Sequence, residues 1–272
     1  MNKGVGPIVT ISDKSNALKT SFLKLKLNFA HVFFFQSGGS GISVNFDIDP
    51  KEFLKFAKKD LEQSDKRGYI NAITNAKRAI DCQTDLVLKL FGLNFDKDLP
   101  NAAKHFIEHN GTKQDANEKY NLKLIEALGI APIMLISKVR RLRHQLEHYY
   151  QIPSKKDVKE AIELAELYIT SARYRTAMAY EIIVTNNDED PFEPSHCFNF
   201  NFSETDSSID ISIYEEADQQ NFKFFNTEVE FYYFLKMAIL YDDEDILSDC
   251  LKKLLVYIQH PQAKLKIDVE VY

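Results

Sequence analysis

The spacing of apolar positions changes several times along the chain, and each change marks an element. Near the start, Leu23, Leu25, Leu27 and Phe29 are separated by Lys24, Lys26 and Asn28, the period of two expected of a half-buried strand. The run Ser37-Gly38-Gly39-Ser40-Gly41 divides this stretch from a second alternating segment, ISVNFDID, so residues 1–48 read as a β segment with a hairpin. At Asp49 the period lengthens. Asp49-Pro50-Lys51-Glu52 supplies an N-cap, a proline at the first helical position and a carboxylate at the third, which together satisfy a helix start. Phe53, Phe56, Ala57 and Leu61 follow as a helical stripe. After Gly68 a longer stripe runs through Tyr69, Ile73, Ala76, Ile80, Val87 and Leu90 to Gly92, and the pair predicts a helical hairpin.

A shorter helix opens at Leu99-Pro100 and ends near Gly111, and residues 113–128 carry a helical pattern that Gly129 and Pro132 break. The segment PIMLISKVRRLRHQLEHYYQIP closes at Pro153. Ser154-Lys155-Lys156-Asp157 then caps an amphipathic helix lined by Val158, Ile162, Ala165, Ile169 and Ala172. Residues 49–183 therefore read as an antiparallel helical bundle. Beyond the acidic stretch NNDEDPFEP, CFNFNF and IDISIY flank ETDSS as a hairpin. Thr227-Glu228-Val229-Glu230 caps a helix rich in Phe and Tyr, another helix follows DDED, and KLKIDVEVY ends the chain as a strand. The expected fold class is α+β, mainly α: a helical bundle with flanking β-hairpins and a small acidic C-terminal α/β region over residues 184–272. Strands at the two ends are available to share one sheet.

Composition narrows the class. With 272 residues, 44% hydrophobic and 27% charged, the chain can bury a core, which excludes a disordered or collagenous protein. Cys82, Cys197 and Cys250 are far apart, which supports neither a disulfide framework nor a zinc ribbon. No apolar run is long enough to cross a bilayer, and MNKGVGPIVT lacks the apolar core of a signal peptide, so the expected location is cytoplasmic, with no membrane partner. The net charge of −6 hides an asymmetry. Residues 181–272 hold 6 Lys and Arg against 20 Asp and Glu, a balance of −14, which leaves 28 against 20, or +8, for residues 1–180. A positive body attracts polyanions, whereas the acidic end repels them or covers the basic surface; acidic loops also serve solubility alone.

The chemistry-bearing residues concentrate in residues 138–148. At 100° per residue, Leu135, Val139, Leu142, Leu146 and Tyr149 form the apolar face. His144 and His148 lie nearly opposite, with Glu147 and Arg140 nearby and Arg143 flanking. Lys138, Arg140 and Arg141 add positive charge beside them, which agrees with a phosphate-binding surface and would equally serve a solvated helix.

Arg143-His144-Gln145-Leu146-Glu147-His148 resembles the motif of the HEPN superfamily, an Arg followed by a usually polar residue and, after four to six positions, a His. The position also fits, late in a helical bundle and just before a last amphipathic helix; the resemblance covers residues 49–180. It implies a metal-independent endoribonuclease that needs no cofactor. In that chemistry the 2′-OH of RNA attacks the adjacent phosphate, so the protein supplies proton transfer and a cation. The resemblance assigns acid–base work to His148, phosphorane stabilisation to Arg143 and orientation of the phosphate or of the second His to His144, with Glu147 as a supporting group. Imidazole suits proton transfer because its unperturbed pKa, about 6.5, lies near working pH, and guanidinium suits phosphate through its permanent forked cation. Such enzymes serve as toxins or antiviral defence effectors, which leaves room for an antitoxin or regulatory partner. Arg143 and His148 stand about 140° apart around the helix and about 7.5 Å along it, so one helix does not readily focus both on one phosphate; the resemblance implies a homodimer through the motif helix, whose second copy completes the site.

Two other readings use the same letters. A HEPN-type bundle that binds nucleotide or protein without cutting needs only the charged face, and such a face is commonly just solvated. His144-Gln145-Leu146-Glu147-His148 also has the HxxEH spacing of a zinc peptidase, although no downstream residue stands out as the third ligand. Asp81 and Asp85 on the second bundle helix are positioned either to orient a motif His or to form surface ion pairs.

Overall fold

The structure is a computed structural model, and it describes residues 12–111, 119–186, 194–215 and 218–272. The first element differs from the strand expected there. Ser12 accepts the N–H of Ser15 at 3.0 Å and caps a helix, α1 (Asp13–Lys24). Leu18, Phe22 and Leu25 are buried at helical spacing, so a period of 3.6 wins over the alternation that begins at Leu23. Lys26, at φ 57°, turns the chain out of the helix, and Leu27 and Phe29 are buried beyond it.

The glycine-rich run does not turn either. It lies inside β1 (His31–Gly41), whose far end pairs with β2 (Met178–Asn186) from Gly38↔Glu181 to Gly41↔Met178 after a bulge at Gln36. A Cβ on Gly39 would lie 3.2 Å from the Ala179 carbonyl oxygen, so here glycine permits close strand approach and does not mark a hairpin loop. The segment ISVNFDID forms no strand and leads directly into the bundle.

Among the described residues the helices over 50–176 match the expected order; the start of the helix expected over residues 113–128 lies outside them. The helices are α2 (Pro50–Glu62), α3 (Lys66–Leu90), α4 (Asn101–Asn110), α5 (Tyr120–Ala127), α6 (Met134–Tyr149) and α7 (Lys155–Thr176). Asp49 and Glu52 form the anticipated capping box of α2. Gly68 falls within the first turn of α3 and does not precede it; a Cβ there would meet the Asp60 carbonyl oxygen at 2.5 Å, so glycine lets α2 and α3 close on each other. Both α2 and α6 pack against α3 and α7. Across α3 and α7 the hydroxyls of Thr84 and Tyr168 hydrogen-bond at 2.8 Å within the core.

α7 runs almost directly into β2, which joins the bundle to the sheet. The sheet continues with β3 (His196–Ser203), β4 (Ser208–Glu215), β5 (Asp218–Phe225) and β6 (Asp268–Val271), in the order β5-β4-β3-β2-β1-β6. Neighbours are antiparallel except β1 and β6, which are parallel. Strands from both flanks of the bundle thus share one sheet. β3 and β4 form the expected hairpin, with Ser203↔Ser208 next to the turn; the acidic stretch before them lies largely outside the described residues. Glu228 precedes α8 (Val229–Ile239) and Asp243 caps α9 (Glu244–Tyr257). Every residue of α8 is buried, among them the Phe and Tyr cluster, because the helix packs against β2, β3, α4 and α9 together. The chain is α+β and 55% helical, with nine helices and a mixed six-stranded sheet among the described residues. No helix among them is long and apolar enough to cross a membrane.

Candidate functional site: a two-walled cleft beside α6

Gly129, at φ 75°, ends α5, and the Glu126 carboxylate accepts the N–H of Ile133 at the start of α6. Ile136, Val139 and Leu142 bury the inner face of α6, with Leu135 and Leu146 half-buried beside them. The apolar face stops one turn early. Tyr149, expected in the core, is 63% exposed, and Tyr150 is 86% exposed at φ 55°, a left-handed residue that ends the helix. Its N–H and that of Gln151 both return to the Gln145 carbonyl. The last turn of α6, including His148, therefore projects into solvent.

The polar face of α6 borders a cleft of about 850 Å³. Its α6 wall carries Arg140, Arg141, Arg143, His144 and Glu147, and the facing wall carries Lys77, Asp81 and Asp85 of α3 with Phe95 and Asp96 of the following loop. Arg143 Nη2 lies 2.5 Å from Glu147 Oε1, an ion pair one turn along the helix. The His144 ring stands 4.5 Å from that of His148 and 5.7 Å from that of Tyr149, centroid to centroid. His144 thus touches both the cleft and the exposed helix tip. Arg140, Arg141, Arg143, His144 and Glu147 are brought together as the sequence suggests, whereas His148 stands outside the cleft wall, with its ring against that of His144.

Lys138 is not brought to the cleft. Its ammonium ion-pairs with Glu160 and lies 3.6 Å from Asp157, both on α7, so it fastens α6 to α7 and its charge is neutralised there. On α3, Asp81 pairs with Lys77, the surface ion pair weighed for it. Asp85 behaves differently. It is half-buried, and burial together with the Asp81 and Asp96 carboxylates pushes its pKa up to about 6, against the opposing pull of Lys77 and Lys119. Burial also pushes the Tyr168 phenol, which holds α7 to α3 behind this wall, well above the usual range.

Phe95 and Asp96 escape sequence reasoning because the loop between α3 and α4 has no periodicity. The available signal is Asn94, whose side chain accepts the N–H of Asp96 at 2.9 Å and turns the loop. The HxxEH spacing of His144, Glu147 and His148 also remains incomplete: among the described residues no three His, Cys, Asp or Glu groups are placed to hold a metal ion. The chain matches no protein-family model, no curated protein and no solved structure.

Proposed function

We propose that the protein is a metal-independent endoribonuclease of the HEPN type. The observation that carries this reading is the grouping of Arg140, Arg141, Arg143 and His144 on one wall of a cleft, with His148 exposed at its edge against His144. Arg140 and Arg141 hold the RNA backbone, and Arg143 places its forked donors on the reacting phosphate. The 2′-oxygen forms a bond to phosphorus as its proton passes to a base. The bond from phosphorus to the 5′-oxygen breaks, and that oxygen takes up a proton, leaving a 2′,3′-cyclic phosphate and a 5′-hydroxyl. His148 serves the proton transfers, His144 orients it, and Arg143 stabilises the charge of the phosphorane.

One α6 does not focus Arg143 and His148 on the same phosphate, since they diverge by about 140°. A second copy supplies the missing half. The exposed Tyr149, Tyr150 and Ile152 beside His148 give the homodimer an apolar contact at the motif helix. The activity is that of a toxin or defence effector held in check by a regulatory partner.

A binding module that does not cut is the second reading, and the Arg143–Glu147 ion pair favours it, because the essential guanidinium already has a carboxylate partner. Purified protein incubated with tRNA and mixed RNA in EDTA separates the two. The nuclease yields fragments with cyclic phosphate ends, and Arg143→Ala or His148→Ala lowers the rate at least about 100-fold. Intact RNA, or cleavage that survives both substitutions, overturns the assignment.

A further inference from the structure

The α3 wall of the cleft has no role in holding phosphate. Carboxylates repel a polyanion, yet Asp81, Asp85 and Asp96 face the guanidinium groups across the same space. Lys77 neutralises Asp81. The Asp85 carboxylate has no hydrogen-bond or ion-pair partner among the described residues, although it is half-buried and the like charges of Asp81 and Asp96 beside it outweigh the pull of Lys77 and Lys119. A carboxylate in that position costs stability unless donors arrive from outside. Beside it, Phe95 is braced edge-on against Phe46, ring centroids 5.9 Å apart at 87°, and its loop is tied down by the Asn94 turn. An acceptor pair and a fixed aromatic ring at the margin of a phosphate-binding wall are the parts from which single-stranded bases are read.

Resting on the ribonuclease reading, we infer that this wall selects the base next to the scissile phosphate, and that the base is guanine, with Asp85 accepting its hydrogen bonds and Phe95 packing on its face. The two carboxylate oxygens require two adjacent donors. Guanine offers N1–H and N2–H side by side on its Watson–Crick edge. Adenine and cytosine offer one exocyclic donor beside a ring nitrogen whose lone pair opposes the carboxylate, and uracil offers one N3–H between two carbonyls. A cavity of about 850 Å³ accommodates a base with its phosphate.

The test uses 2′-deoxy dinucleotides, which lack the attacking hydroxyl and whose phosphodiester does not titrate near neutrality. Calorimetric titration of the full chain at pH 7.5 with d(GpA) and d(ApG) is compared with d(ApA), d(CpA) and d(TpA). One guanine dinucleotide binds about 10- to 100-fold more tightly than the others. Asp85→Asn, which keeps the shape and replaces one acceptor by a donor, removes that preference while circular dichroism stays native. Phe95→Leu weakens all five. Equal affinities, no binding of any of the five, or a preference that survives Asp85→Asn overturns the inference. RNA cleavage assayed in parallel keeps the two ideas apart: cutting without guanine preference sinks only the base reading, and guanine preference without cutting sinks only the nuclease.

Discussion

Arg143 and Glu147 form an ion pair across one turn of α6, with 2.5 Å between Nη2 and Oε1. The guanidinium that faces the cleft is therefore held by its own helix before any ligand arrives. Exposed pairs of this spacing contribute about 0.3–0.5 kcal/mol, so an incoming phosphate displaces Glu147 at small cost. Glu147→Gln is expected to change urea stability by no more than about 0.5 kcal/mol. It strengthens RNA binding roughly twofold, the effect of deleting one nearby negative charge in water, as measured by filter binding at low salt. Weaker binding in this variant would show that Glu147 positions Arg143 and does not merely occupy it.

Asp85 carries a pH signature. Its folded-state pKa, about 6, lies above the ordinary aspartate value of about 3.9, so the folded state binds its proton more tightly than the unfolded chain does. The penalty for ionising it is absent below about pH 4, grows between about 4 and 6, and is complete above that. Asp85→Asn removes the penalty. Discounted for the solvent that reaches this half-buried group, the gain is about 1 kcal/mol at pH 8 and vanishes near pH 3.5. Urea melts of both proteins across that range read the difference directly.

Tyr168 tests the brace between α3 and α7. Its hydroxyl meets Thr84 Oγ1 at 2.8 Å, and Thr84 also donates to the Ile80 carbonyl at 2.9 Å. Tyr168→Phe leaves Thr84 with a partner, so the loss is about 1 kcal/mol. Tyr168→Ala empties a fully buried site and costs about 3–5 kcal/mol. Chemical denaturation gives both numbers, and no loss in Tyr168→Phe would mean that the phenol packs without bonding.

Tyr150 joins a strained backbone to an exposed ring. A non-glycine residue at φ 55° costs roughly 1–2 kcal/mol, so Tyr150→Gly is expected to hold or raise the thermal midpoint. The same substitution removes an aromatic ring from the proposed dimer contact. Sedimentation velocity is expected to show weaker self-association in the variant than in the parent, and unchanged association would move the dimer contact elsewhere.

The bundle helices were legible because their signals are local. The Asp49–Glu52 capping box, the stripe through Ile73, Ala76 and Ile80, and the Ser154 cap each act within a few residues. The start of the chain misled for the same reason. Leu23 to Phe29 satisfies alternation locally, yet burial of Leu18, Phe22 and Leu25 favours a helix. Five residues of serine and glycine resemble a turn until β2 supplies the hydrogen bonds that extend them. At the site, the period of α6 brings Arg140, Arg143, His144 and Glu147 to one face, but Lys138 was drawn to Asp157 and Glu160 by a helix that periodicity does not place.

By itself the sequence determined which of the described segments between residues 49 and 176 are helical, the caps of α2 and α7 and the clustering of Arg, His and Glu on one helix face, because these depend on neighbours within one or two turns. Tertiary structure alone decided that β1 pairs with β2 and β6, that α8 is buried on all sides, and that Asp85, Phe95 and Asp96 stand opposite Arg143. Those outcomes depend on contacts between residues far apart in the chain, whose free energy is realised only when the elements pack together.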